Sequence, residues 1–159
     1  MTKSKVEWTT DAGGQLRLGG IHDGNLVELL FKEGFLSFRV QGVDGGILLF
    51  ELKGLTNLKL GLLGGAILND LWIWNVNAVP ESLLKYGDAG WNFLLSDQGS
   101  PSTRINEQAQ KIIKRNHAAL FLQIECSYGE NIAAICDSID IYHDGLSEDI
   151  PPTIPRSPA

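Results

Sequence analysis

Two consecutive stretches of this chain alternate apolar and polar residues with a period of two, and a short turn between them lets the two patterns face one another. In Leu26 to Lys32, Val27, Leu29 and Phe31 share one side, with Glu28 and Lys32 opposite; in Phe35 to Gln41, Leu36, Phe38 and Val40 oppose Ser37, Arg39 and Gln41. With Glu33-Gly34 as a two-residue turn, Phe31 lies across from Leu36, Leu29 from Phe38 and Val27 from Val40, so each apolar residue meets an apolar partner. A three-residue loop, Asp44-Gly45-Gly46, then returns the chain into a third strand carrying Leu48, Phe50 and Leu52. The pattern predicts an antiparallel meander.

Beyond the meander, Gly54 to Leu58 reads as a corner, followed by Lys59 to Leu62 and a glycine break at Gly64-Gly65. Ala66 to Val76 is apolar on both parities, as for a strand covered on both faces, and is expected at the centre of a sheet or at an interface. A short helix is predicted over Pro80 to Tyr86, and a longer one between Ser102 and His117, where Ile105, Ala109, Ile112 and Ile113 recur at helical spacing. Lys111, Lys114, Arg115 and His117 crowd the end of the longer helix; a solvated end that suits the helix dipole outweighs a phosphate site there. A last hairpin, Ala118 to Tyr128 and Asn131 to Tyr142, turns at Gly129-Glu130 and pairs Leu120 with Ile139, Leu122 with Asp137, Ile124 with Ile135 and Cys126 with Ala133. In that register Cys136 faces Gln123, on the side away from Cys126, which argues against a disulfide. The fold class is therefore α+β, a mainly antiparallel sheet of meander and hairpin strands with one or two short helices. Residues 1–146 are expected to form one domain, and the proline-rich tail 147–159 to lie against a surface or a neighbouring chain.

Charge and composition narrow the function classes. The 159 residues carry a formal net charge of -6, which disfavours general attraction to nucleic acid or to anionic membrane. Neither an apolar signal segment at the start nor an unbroken apolar run elsewhere is visible, so a cytoplasmic protein is expected, with Cys126 and Cys136 as reduced core residues. No zinc-type Cys/His spacing occurs, and Gly61-Leu62-Leu63-Gly64-Gly65 is neither a Walker A loop nor a dinucleotide fingerprint; no metal or cofactor is expected. The sequence also lacks a nucleophile elbow, a zincin helix and an EF-hand loop, which leans against an enzyme.

The chemistry-bearing candidates are few. His-Asp-Gly occurs twice, as His22-Asp23-Gly24 before the first meander strand and His143-Asp144-Gly145 after the last strand. Imidazole and carboxylate together suit metal ligation or general-base work, but Asp-Gly is also a turn dipeptide, as Asp44-Gly45 shows, and the turn has more weight. Asp137 interrupts an apolar parity. Either it is a buried carboxylate at a functional position, or, the favoured alternative, a β-bulge turns it outward and brings Cys136 in. Trp72 and Trp74 share a strand face and serve equally as a binding platform or as core; for Trp91 the core is favoured.

The order Ile21-His22-Asp23-Gly24, three meander strands, Phe50-Glu51-Leu52-Lys53-Gly54-Leu55 and a late hairpin ending in Ile139-Asp140-Ile141 resembles small uncharacterised bacterial proteins, some of them grouped with polymorphic-toxin immunity proteins of the fifty-numbered family. The resemblance spans residues 21–76 and 118–142. It implies an α+β fold with a binding role, and it carries over no site residues. The leading expectation is thus a non-catalytic interaction module with a toxin-like protein partner, an acidic face complementing a basic nuclease. Two alternatives stay open: a small-ligand or metal-binding protein, or an enzyme, using His22, His143 and nearby carboxylates; and a structural homo-oligomer joined through its tryptophans or its tail.

Overall fold

The meander forms where the alternation places it. In a computed structural model, which describes residues 3–61, 67–80, 90–96, 102–127 and 131–145, β1 (Lys3–Val6), β2 (Thr9–Thr10) and β3 (Leu16–Arg17) precede the meander strands β4 (Asn25–Lys32), β5 (Phe35–Gln41) and β6 (Ile47–Lys53). Then follow β7 (Asn57–Leu60), β8 (Leu68–Asn75), the helices α1 (Gly90–Leu95) and α2 (Ser102–Arg115), and β9 (Leu120–Cys126), β10 (Ile132–Cys136) and β11 (Ser138–Asp144). The strands build a five-stranded sheet in the order β1-β11-β6-β5-β4, a four-stranded sheet β7-β10-β9-β8 and a small β2-β3 hairpin. All the strand pairs are antiparallel, giving the α+β, β-rich class expected. Among the described residues, no helix is long and apolar enough to cross a membrane.

The two larger sheets stack face to face. Leu36, Phe38, Val40, Phe50, Leu52, Ile139 and Ile141 of one sheet and Leu68, Leu71, Ile73, Leu122, Ile124 and Ile132 of the other form a single buried core, in which Phe38 and Phe50 stack at 4.6 Å. The far side of the four-stranded sheet is covered by α1 and α2 through Trp74, Phe121, Ala133 and Ile135 against Trp91, Leu94, Ile105 and Ala109. The resulting order is sheet, sheet, helices. The helical spacing of Ile105, Ala109, Ile112 and Ile113 is realised in α2, with Lys111, Lys114 and Arg115 in solvent. Trp91, on the helix α1 that the sequence did not announce, meets the Phe121 ring edge-on at 5.0 Å.

The meander pairs Phe31 with Leu36 and Leu29 with Phe38 around Glu33-Gly34, with Gly34 at φ 73°. Val27, however, does not face Val40. A bulge between Leu26 and Glu28 gives that partner to Leu26 and leaves Val27 49% exposed, because an extra residue in one strand breaks the alternation locally. The next loop closes one residue early: the Gly42 amide donates to the Gly46 carbonyl at 2.8 Å, so the three looped residues are Val43, Asp44 and Gly45.

The late hairpin differs more. β9 and β10 pair Ile124 with Ile132, Leu122 with Ala134 and Leu120 with Cys136, and it is Ala133 that faces Gln123. The segment after Cys136 leaves this sheet altogether, since β11 joins the other one beside β6. The crossing lies at Asp137, where three residues (Gly54, Leu55, Thr56) stand against two (Cys136, Asp137) between the pairs Lys53–Ser138 and Asn57–Ile135. That one-residue excess swaps the faces as the ladder bends from one sheet into the next. Gly54 sits at φ 66° in this corner, and a Cβ there would come within 2.8 Å of the Asp137 Cβ. β8 is covered on both faces as expected, but it is an edge strand rather than a central one. Its free edge is met by loops: the Ile73 amide donates to the Gly14 carbonyl at 2.9 Å and the Leu68 amide to the Gly24 carbonyl at 2.8 Å. The expected helix over Pro80–Tyr86, the Gly129-Glu130 turn, the Gly64-Gly65 break and the proline-rich tail lie wholly or largely outside the described residues.

Candidate functional site

Alternation in the meander has a second consequence: if Leu36, Phe38 and Val40 point into the core, Ser37 and Arg39 point out. The same holds for Glu28, Leu30 and Lys32 on β4, Leu49, Glu51 and Lys53 on β6, and Asp140, Tyr142 and Asp144 on β11. These side chains form the outer face of the five-stranded sheet, and a groove of about 560 Å³ runs across it, lined by Lys3, Arg39, Glu51 and Asp144 among others.

Arg39 organises this face. Its Nη1 donates to Glu28 Oε2 on β4 at 2.8 Å, and its Nε to Asp144 Oδ2 on β11 at 2.8 Å, reaching past β6 to do so. The guanidinium thereby links three strands, β4, β5 and β11, across a span of four. Its pKa is raised, first by the hydrogen bond to Asp144 and further by Glu28. The Asp144 side chain is only 7% exposed, so this carboxylate is held where an unmatched charge would be costly. Around it, Lys3 meets Glu51 at 3.4 Å and stands 4.4 Å over the Tyr142 ring, and Asp140 takes Lys5 at 3.1 Å and Lys53 at 3.3 Å. The hydrogen bond from Lys5 holds the Asp140 carboxyl below the usual carboxylate range, assisted by Lys53, and Asp140 in turn raises the Lys5 pKa. Each of the four carboxylates on this face is thus ion-paired, and the net charge of -6 is not displayed here as an acidic patch.

The two His-Asp-Gly copies occupy different surroundings. His22, in the loop before β4, directs Nδ1 at the Asn69 carbonyl of β8 at 2.6 Å, and its Nε2 is 3.7 Å from Asp23. The carbonyl contact, with Asp23 second, raises the imidazole pKa above 6.5. Asp23 adopts φ 63°, the left-handed conformation that a turn aspartate tolerates. His143 pairs with Ser4 and Leu48 on β11, its side chain opposite in direction to that of Asp144. Between β11 and β4 lie β6 and β5, three strand spacings or roughly 14 Å. Among the described residues, no group of three or more His, Cys, Asp or Glu side chains could hold a metal ion.

Asp137 is exposed at the corner, accepting from Asn116 Nδ2 at 2.8 Å, while Cys136 is fully buried within the inter-sheet core; this is the outward-turned arrangement that a bulge implies. Cys126 and Cys136 are both buried, and burial, with the neighbouring Asp137 charge, pushes the Cys136 pKa up to about 12. Trp74 is core, its Nε1 donating to the Gly13 carbonyl at 2.8 Å, and Trp72 stacks beside it at 6.2 Å, half-buried. Of the sequence candidates, only Asp144 belongs to the groove. Glu28 and Arg39 were legible as an opposite-charge pair once the meander was in register; Lys3 and Glu51 were not, because β1 was unforeseen. Comparison with protein-family models, with curated proteins and with solved structures finds no match.

Proposed function

We propose that the protein is a non-catalytic protein-binding module of the toxin-immunity kind, which seats its partner on the outer face of the five-stranded sheet. Arg39 carries this reading. An arginine pinned between Glu28 and Asp144 in an open groove is an anchor whose conformational entropy is already spent, and arginine is enriched among the few residues that carry most of the binding energy at protein interfaces. Leu30 and Phe35 supply apolar contact beside it. The overall charge of -6 adds long-range attraction for a basic partner such as a nuclease toxin, and a cytoplasmic bacterial setting follows from that partner.

The test is first whether a toxin-like gene lies beside this one, whose absence counts against the toxin-immunity reading, and then calorimetric binding to the product of that gene. Wild type should bind in the micromolar range or tighter, and Phe35→Ala and Glu51→Lys should each weaken binding at least about tenfold while the circular dichroism spectrum is retained. Undiminished affinity in both variants, or no binding by the wild type, overturns the proposal.

A further inference from the structure

A strand at the edge of a sheet presents unpaired amides and carbonyls, and proteins blunt such edges with charge, brevity or cover. The five-stranded sheet has two edges of opposite character. β1 is four residues long and exposes Lys3, Ser4 and Lys5. β4 is eight residues long and holds Val27, Leu30 and Phe31, at 49%, 44% and 57% exposure. The β8 edge of the other sheet is met by loops, as described above. Asn25, at the start of β4, bridges to Ile67, so among the described residues the open edge runs over Val27–Lys32, with an apolar surface.

We propose that β4 pairs with β4 of a second copy of this chain, antiparallel about a two-fold axis at Leu30. A two-residue turn closes on a hydrogen-bonded pair, here Lys32 and Phe35, so the backbone groups of Lys32, Leu30 and Glu28 are directed at β5 and those of Phe31 and Leu29 away from the sheet. With Leu30 against its own copy, Phe31 exchanges backbone hydrogen bonds with Leu29 of the second copy, and the reverse. On the outer face Glu28 then lies across from Lys32 and Leu30 from Leu30; on the inner face Leu29 lies across from Phe31. A shift of two residues in either direction sets Glu28 or Lys32 against Leu30, and a shift of one residue puts inward side chains against outward ones. The charge complementarity therefore selects one register. The Val27 bulge ends the ladder, confining pairing to Glu28–Lys32. The two sheets become one ten-stranded sheet with both grooves on the same side.

Sedimentation velocity of the full chain over a concentration series should show the mass rising from 17.4 kDa toward twice that value. Glu28→Lys and Lys32→Glu should each raise the dissociation constant at least tenfold by opposing like charges, while an equimolar mixture of the two should recover mixed dimers in which opposite charges again face one another across the two-fold. Leu30→Lys, with two ammonium groups at the axis, should leave a monomer even if Glu28→Lys fails to fold for want of its bond to Arg39. A wild type that stays monomeric throughout, a dimer that survives Leu30→Lys, or a mixture of folded variants that does not reassociate overturns the proposal.

Discussion

The four-stranded and five-stranded sheets share a core yet differ in what their second faces do. β10 is buried and apolar at all five of its positions, whereas β5 alternates apolar Leu36, Phe38 and Val40 with a polar face that carries buried Ser37 and half-buried Arg39 into the groove. A sheet packed on both sides needs apolar residues at both parities; one with a free face can hold charges there, provided each finds a partner. Structural burden and an open, charged face are thus divided between the layers.

The largest separation between them should come from core truncation. Phe121→Ala, on the helix side of the four-stranded sheet, removes a fully buried ring in contact with Trp74 and Trp91 and should cost about 3–5 kcal/mol in urea unfolding. A loss below about 1 kcal/mol would show that the helices do not pack there. Arg39→Met on the open face should cost less, about 1–3 kcal/mol, chiefly by stranding the Asp144 carboxylate. Asp144→Leu in the same chain should recover part of that loss, and the absence of recovery would mean that the pair is not coupled.

The smallest effects concern pH. Asp140 has a lowered folded-state pKa, so its contribution is present above its ordinary value of 3.8 and lost as pH falls through the folded value; Asp140→Asn should flatten that acidic limb of the stability curve. His22 is the opposite case. Its raised pKa makes its contribution complete below 6.5 and lost as pH rises through the folded value, by little because the side chain is exposed. Proton NMR should place the His22 titration above 6.5 and show it moving down in Asp23→Asn; no movement would remove Asp23 as a cause.

The same division between the sheets explains what could be read beforehand. Leu29 opposite Phe38 and Phe31 opposite Leu36 were legible because only one register puts apolar on apolar when the other parity is polar. In β9 and β10, Leu120 to Cys126 and Ile132 to Cys136 are apolar at nearly every position, so several registers satisfy the pattern equally, and the one inferred was displaced from the pairing of Ile124 with Ile132. Val27 was misplaced for a third reason: a bulge is a backbone event that the apolar pattern does not encode. Short strands such as β1, β3 and β7 have too few residues to show a period.

From its sequence alone this chain is committed to an antiparallel meander, to a helix over Ser102–Arg115 and to an α+β class, because local periodicity and turn chemistry suffice for each. Tertiary structure decided the rest. It bent one ladder at Gly54 and Asp137 into two sheets, put β11 beside β6, and so brought Asp144 to Arg39 across more than a hundred residues of chain. Contacts of that kind depend on which strands become neighbours, and strand order is set by the burial of whole faces, which no short stretch of sequence specifies.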